Sequence, residues 1–149
     1  MNLTRRQVLT AGASVAVGAF FGTGRAFATV EDVEAAIAEF AGGKEPAEGV
    51  LTLTTPEIAE NGNSVPISVS VDSPMTDSDY VDSVIIFADG NPNPEVVTFN
   101  FSPVSGEAKA STRMRLAKTQ NVVAVAKLSN GDVYKMSNNV KVTIGGCGG

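Results

Sequence analysis

Histidine is absent from this chain, and cysteine occurs once in its 149 residues. Histidine is the side chain that ordinarily titrates near neutral pH, so neither a Ser-His-Asp nor a Cys-His site can be assembled from this chain alone. One cysteine with scattered carboxylates does not supply the usual zinc ligands either, and no metal site or cofactor motif is expected. Long hydrophobic runs are also lacking. Although 43% of the residues are hydrophobic, no apolar stretch reaches the roughly 20 residues of a membrane-spanning helix. A chain of this length is expected to form one domain with a real core.

Basic residues are scarce and unevenly placed. All 16 acidic residues lie at or after Glu31, whereas Arg5, Arg6 and Arg25, of 11 basic residues, precede it. Residues 29–149 carry 8 basic and 16 acidic groups, a formal charge of −8. Such a surface repels nucleic acid and anionic lipid and favours partners with basic docking faces.

The basic start is organised. Thr4-Arg5-Arg6-Gln7-Val8-Leu9-Thr10 is followed by an apolar, Gly- and Ala-rich run over 11–21 and then by Ala26-Phe27-Ala28. That is the order of an export signal: basic region, short apolar region, A-x-A cleavage site. The paired arginines and weakly hydrophobic run resemble a twin-arginine signal, against an ordinary secretory signal or an uncleaved anchor as alternatives. Cleavage is expected after Ala28, leaving a periplasmic protein with no membrane attachment. Twin-arginine export carries folded proteins, which, without a cofactor motif, points to a preassembled partner subunit.

Val30, Val33, Ala36, Ile37 and Phe40 follow the three-and-four spacing of an amphipathic helix. Thr29 is its expected N-cap, Glu31 and Asp32 suit the dipole of its first turn, and Gly42-Gly43 end it. Gly42 to Gly49, with Pro46, reads as a linker. Beyond it come short β-branched runs near 50–54, 65–71, 81–88, 96–101, 108–116, 122–128 and 133–144. Asn61-Gly62, Asp89-Gly90-Asn91-Pro92 and Ser129-Asn130-Gly131-Asp132 provide turns, the last a hairpin. Seven short strands predict an all-β, immunoglobulin-like antiparallel β-sandwich with a short N-terminal helix and a flexible C-terminal arm. The domain map is then a signal at 1–28, helix and linker at 29–49, sandwich at 50–144 and arm at 145–149.

Ile67, Val69 and Val71 alternate with Ser68 and Ser70, as in a strand with one wet face. Val122 to Ala126 is almost continuously apolar, which fits either a central strand or one with a face covered by a partner. Asp77, Asp79 and Asp82 read as a solvated loop. Arg113 and Arg115 project to one face of a strand, where they pair with acids or face a partner.

The chain closes on Gly145-Gly146-Cys147-Gly148-Gly149. Glycine has the broadest backbone freedom, so this reads as a thin arm, about 17 Å long at about 3.4 Å per residue, able to present a thiol to another protein. A lone cysteine in an exported protein could instead form an intermolecular disulfide. Prenylation is excluded because it needs three residues after the cysteine. Cysteine attacks as the thiolate. Lys141 is the nearest cation in sequence and the terminal carboxylate is two residues away, so activation is expected from a partner's active site.

These features together resemble the SoxY family, the substrate-carrying subunits of bacterial sulfur oxidation. The resemblance covers nearly the whole chain. It rests on the twin-arginine start, Ile58-Ala59-Glu60-Asn61-Gly62-Asn63-Ser64-Val65-Pro66, Phe87-Ala88-Asp89-Gly90-Asn91-Pro92, Ser111-Thr112-Arg113-Met114-Arg115-Leu116 with Val122-Val123-Ala124-Val125-Ala126, and above all the terminal pentapeptide. It implies a covalent carrier and no enzyme. Thiosulfate and persulfide intermediates would ride on Cys147, flanked by Gly145, Gly146, Gly148 and Gly149. A SoxZ-like subunit would be the heterodimer partner and export passenger. A SoxAX-type haem enzyme, a SoxB-type hydrolase and a SoxCD-type sulfane dehydrogenase would act on the cargo. Ubiquitin-like sulfur carriers also end in Gly-Gly, but they need ATP and a central helix that the strand pattern here lacks. The remaining alternative is a structural or adhesive sandwich cross-linked through Cys147.

Overall fold

A computed structural model describes residues 27–146. Of the expected export signal, Arg5, Arg6 and Ala26 lie outside the described residues, as do Cys147, Gly148 and Gly149 of the arm.

Helix α1, Val30–Phe40, begins where its cap chemistry dictates. The Asp32 amide donates to Thr29 Oγ1 at 3.2 Å and the Thr29 amide donates to Asp32 Oδ2 at 2.8 Å, a reciprocal capping box. At the other end Gly42 and Gly43 take φ of 63° and 80°, and the Gly43 amide donates back to Ala38 O at 3.0 Å. The left-handed turn satisfies a carbonyl the helix would leave open. The segment read as a linker is pinned to the last strand. The Ala47 amide donates to Val133 O, the Lys135 amide donates to Ala47 O, and Lys44 Nζ donates to Gly131 O at 2.8 Å.

Eight strands follow: β1 Leu51–Thr54, β2 Ile58–Ala59, β3 Val65–Val71, β4 Val81–Ala88, β5 Glu95–Asn100, β6 Ala108–Met114, β7 Gln120–Leu128 and β8 Val133–Val142. They form a three-stranded sheet, β1-β3-β6, facing a five-stranded sheet, β2-β8-β7-β4-β5. The β-sandwich is therefore as expected, with one correction to its antiparallel pattern. Strand β2 was not anticipated, and it pairs parallel to β8, Ile58 with Lys141 and Ala59 with Val142. Two residues are too few to show a period of two, so only the neighbouring strand reveals them.

The main core lies between the sheets, where Leu53, Val69, Ile86, Ala124 and Val140 meet. In β3 the buried residues alternate from Val65 to Val71 as its sequence predicts. In β4 a bulge between Val81 and Ser83 resets the alternation, so Val81 and Val84, three apart, both enter the core. Strand β7 lies between β8 and β4. Val122, Ala124 and Ala126 point into the main core, while Val123 and Val125 join Ile85 and Phe87 beneath Val33 and Ile37 of α1 and its C-cap Ala41. The apolar run is thus a central strand whose second face is covered by the chain's own helix.

Candidate functional site

The hydrogen-bonding pattern changes where β8 ends. The Thr143 amide donates to Ala59 O at 3.1 Å and its hydroxyl to Glu60 O at 2.9 Å, which ties the outgoing chain to the end of β2. The Gly62 amide then donates to Ile144 O at 2.8 Å, the Leu116 amide to Gly62 O at 2.8 Å and the Gly146 amide to Leu116 O at 3.0 Å. Leu116 therefore bonds Gly62 on one side and Gly146 on the other. This explains why β6 stops at Met114, two residues before the expected strand end.

Glycine at this junction serves close approach. A Cβ on Gly62 would overlap the Leu116 carbonyl oxygen and lie 2.7 Å from the Gly146 amide nitrogen. One on Gly145 would overlap the Ala117 carbonyl oxygen, and one on Gly146 would lie 2.8 Å from Gly62 O. Gly146 is buried. The expected free arm began at Gly145, whereas the structure seats Gly145 and Gly146 between the 61–63 loop and the β6–β7 connection.

Both walls of this seat are braced. In the first, the Asn63 amide donates to Asn61 Oδ1 at 2.9 Å and Arg113 Nε donates to Ser64 Oγ at 2.7 Å. In the second, Asn91 Nδ2 donates to Arg115 O at 2.8 Å, and Asn91 Oδ1 accepts from the Ala117 amide and from Gln120 Nε2, both at 3.0 Å. Gln120 is buried, gives Nε2 also to Lys118 O, and accepts from the Gly90 amide. The Asp89-Gly90-Asn91-Pro92 turn, read from sequence only as a turn, thus holds up the arm's seat.

The expected cleavage residue, Ala28, is buried, and its amide donates to Asn91 O at 2.8 Å. Beside it Lys118 Nζ stands 4.9 Å from the centre of the Phe27 ring. Sequence neighbours alone placed Lys141 nearest the cysteine. The fold brings the segment that carries Arg115 and Lys118, which flank Leu116-Ala117, against Gly145 and Gly146, while Arg113 braces the opposite wall. Among the described residues the one ion pair joins Lys109 to Glu107 at 3.1 Å, so no close carboxylate there neutralises these three cations. Of the aspartates read as a solvated loop, Asp79 exchanges backbone bonds with Thr76 in a tight turn, and Asp82 accepts from Ser83 Oγ at 3.3 Å.

The described chain is thus a two-sheet β-sandwich that seats Gly145 and Gly146 tightly at one end, between the 61–63 loop and the β6–β7 connection. The family model for the sulfur oxidation protein SoxY matches residues 37–147. The solved SoxY sulfur carrier protein from Chlorobium limicola f thiosulfatophilum is 34% identical, with a TM-score of 0.63 over 78% of this chain and 100% of that one. The chain belongs to the SoxY family of sulfur carrier proteins, and so to the proteins of the Sox system. A superoxide reductase (neelaredoxin) from Ignicoccus hospitalis, 17% identical with a TM-score of 0.56, covers 81% of this chain and 98% of its own. A putative superoxide reductase from Thermotoga maritima, 20% identical with a TM-score of 0.54, covers 64% and 86%. These two share the fold alone. Among curated proteins, no sequence match was found.

Proposed function

We propose that this chain is a periplasmic sulfur carrier in thiosulfate oxidation, exported by the twin-arginine route, which holds its cargo covalently on Cys147 while other proteins do the chemistry. The observation that carries this reading is the seat itself. In a SoxY-family chain, main-chain bonds at Ile144 and Gly146, with close backbone packing at Gly145, hold the chain at the end of the sandwich, immediately before the only cysteine.

The chemistry follows from a tethered thiol. A SoxAX-type haem enzyme would join the outer sulfur of thiosulfate to the Cys147 sulfur, the thiol losing its proton and an electron pair passing to the haem protein. Water attack on the terminal sulfonate, catalysed by a SoxB-type hydrolase, releases sulfate and a proton and leaves a persulfide. A SoxCD-type sulfane dehydrogenase would withdraw electrons from the outer sulfur while water supplies its oxygens, and a second hydrolysis returns the thiol. A SoxZ-like subunit would be the constant partner. Tethering keeps the reactive persulfide from diffusing away and replaces each bimolecular encounter by delivery.

The test is intact-mass spectrometry of protein purified without reductant from thiosulfate-fed cells, before and after thiol reduction. Reducible adducts on the C-terminal peptide, with masses of added sulfur or thiosulfate, are the expected result. Cys147→Ser should abolish both the adducts and thiosulfate-dependent electron flow. If only a protein disulfide forms and Cys147→Ser leaves that flow intact, the cysteine is a structural cross-link.

A further inference from the structure

We infer that Gly62 is a positioning residue for the arm: together with the Leu116-Ala117 backbone it forms a collar that fixes the chain up to the residue immediately before Cys147. The inference deepens the carrier reading and rests on it only for what the arm delivers.

Two independent features define the collar. The first is a closed set of main-chain bonds, with Gly62 donating to Ile144, Leu116 donating to Gly62 and Gly146 donating to Leu116. The second is steric. The missing side chains of Gly62, Gly145 and Gly146 would each run into backbone atoms of the same junction, and backbone cannot swing aside as the end of a flexible side chain can. Gly145 and Gly146 are therefore glycine because three segments of backbone meet there closer than any side chain permits. Flexibility alone would make them interchangeable with Gly148 and would set no requirement at Gly62.

A consequence concerns reach. With Gly146 held, Cys147 lies one Cα–Cα step of about 3.8 Å beyond the collar. A partner therefore meets the thiol within one residue of the Leu116-Ala117 backbone, at the rim of the domain beside Ile144, which is 68% exposed. A tether free from Gly145 onward would carry it far from these residues.

The experiment compares the purified full protein with its Gly62→Ala, Gly145→Ala and Gly148→Ala variants. Amide exchange at Gly146 is followed by NMR, and Cys147 alkylation is timed with a small neutral reagent, iodoacetamide, and with a bulky polymer-linked maleimide. The unsubstituted protein should protect the Gly146 amide at least about tenfold. Gly62→Ala and Gly145→Ala should abolish that protection and raise the bulky-to-small alkylation ratio about threefold or more, because the thiol leaves the rim. Gly148→Ala should change neither. Gly145→Ala lies after the last strand, so it serves as the test if Gly62→Ala does not fold. An unprotected Gly146 in the unsubstituted protein, or wild-type protection and alkylation in Gly145→Ala, overturns the collar. The two readings fail separately: no sulfur adduct on Cys147 sinks the carrier reading, whereas an adduct on a protein with unprotected Gly146 sinks the collar alone.

Discussion

Replacing Asn91 with alanine should weaken the arm's seat from its outer side. The side chain makes three hydrogen bonds: Nδ2 to Arg115 O at 2.8 Å, and Oδ1 from the Ala117 amide and from Gln120 Nε2 at 3.0 Å each. Each is worth about 1 kcal/mol net, and a buried donor left without an acceptor costs about 1–3 kcal/mol. Gln120 keeps Lys118 O as an acceptor, but the half-buried Ala117 amide loses the partner shown here. The expected loss is about 2–3 kcal/mol. At a urea slope of about 1.5 kcal/mol per molar, the unfolding midpoint falls by about 1.3–2 M with the slope unchanged. Amide exchange at Gly146 should accelerate in the same variant, because its acceptor, Leu116 O, lies in the wall that Asn91 supports. Asn93 is exposed on the same loop, and Asn93→Ala should stay within about 0.5 kcal/mol of the parent. If Asn91→Ala is no more destabilised than Asn93→Ala, the wall stands without this network and the reasoning is wrong.

Ile37→Ala removes a side chain that is 5% exposed and packed with Ile85, Phe87 and Val125. It should lower stability by about 2–5 kcal/mol in urea unfolding, whereas the exposed Glu34→Ala on the same helix should shift it by less than about 0.5 kcal/mol. Equal effects would mean that the helix does not close the second core. Arg115 and Lys118, which bracket Leu116-Ala117 of the collar in the chain, should draw anions to Cys147. Neutralising both in Arg115→Gln with Lys118→Gln should slow the thiol's reaction with a dianionic aryl disulfide by about threefold at low salt and leave a neutral dipyridyl disulfide unaffected. At 1 M salt, where the screening length is about 3 Å, the difference should vanish. A slowing that is the same for both reagents, or that survives 1 M salt, would show another cause.

The elements legible in the sequence are those whose signal is local. The Thr29 cap and its Asp32 partner are three residues apart, and the glycine pair that ends α1 adjoins it. The alternation of β3 is a period of two within one strand. In the turn between β7 and β8, Gly131 takes φ of 86° and its amide donates to Leu128 O at 2.9 Å. Cap, period and turn are set by residues within a few positions of one another, which is why helix, strands and sandwich could be read before any contact was known. The terminal pentapeptide was equally conspicuous, because five residues carry the whole pattern.

Other features depend on which segments meet. Val123 and Val125 needed a cover, and only packing decided that α1, some ninety residues earlier in the chain, supplies it. Strand β2 exists because β8 runs beside it. Leu116 and Ala117 looked unrelated to the cysteine in sequence, and their backbone meets the root of the arm where the β6–β7 connection passes Gly145 and Gly146. Sequence by itself determined every strand but β2, the helix, the acidic charge and the cysteine between glycines. Tertiary structure decided that Gly145 and Gly146 meet Gly62 and Ala117 backbone to backbone. A glycine that permits motion and a glycine that permits contact are the same letter, and they differ only in whether another chain segment occupies the space a side chain would have filled.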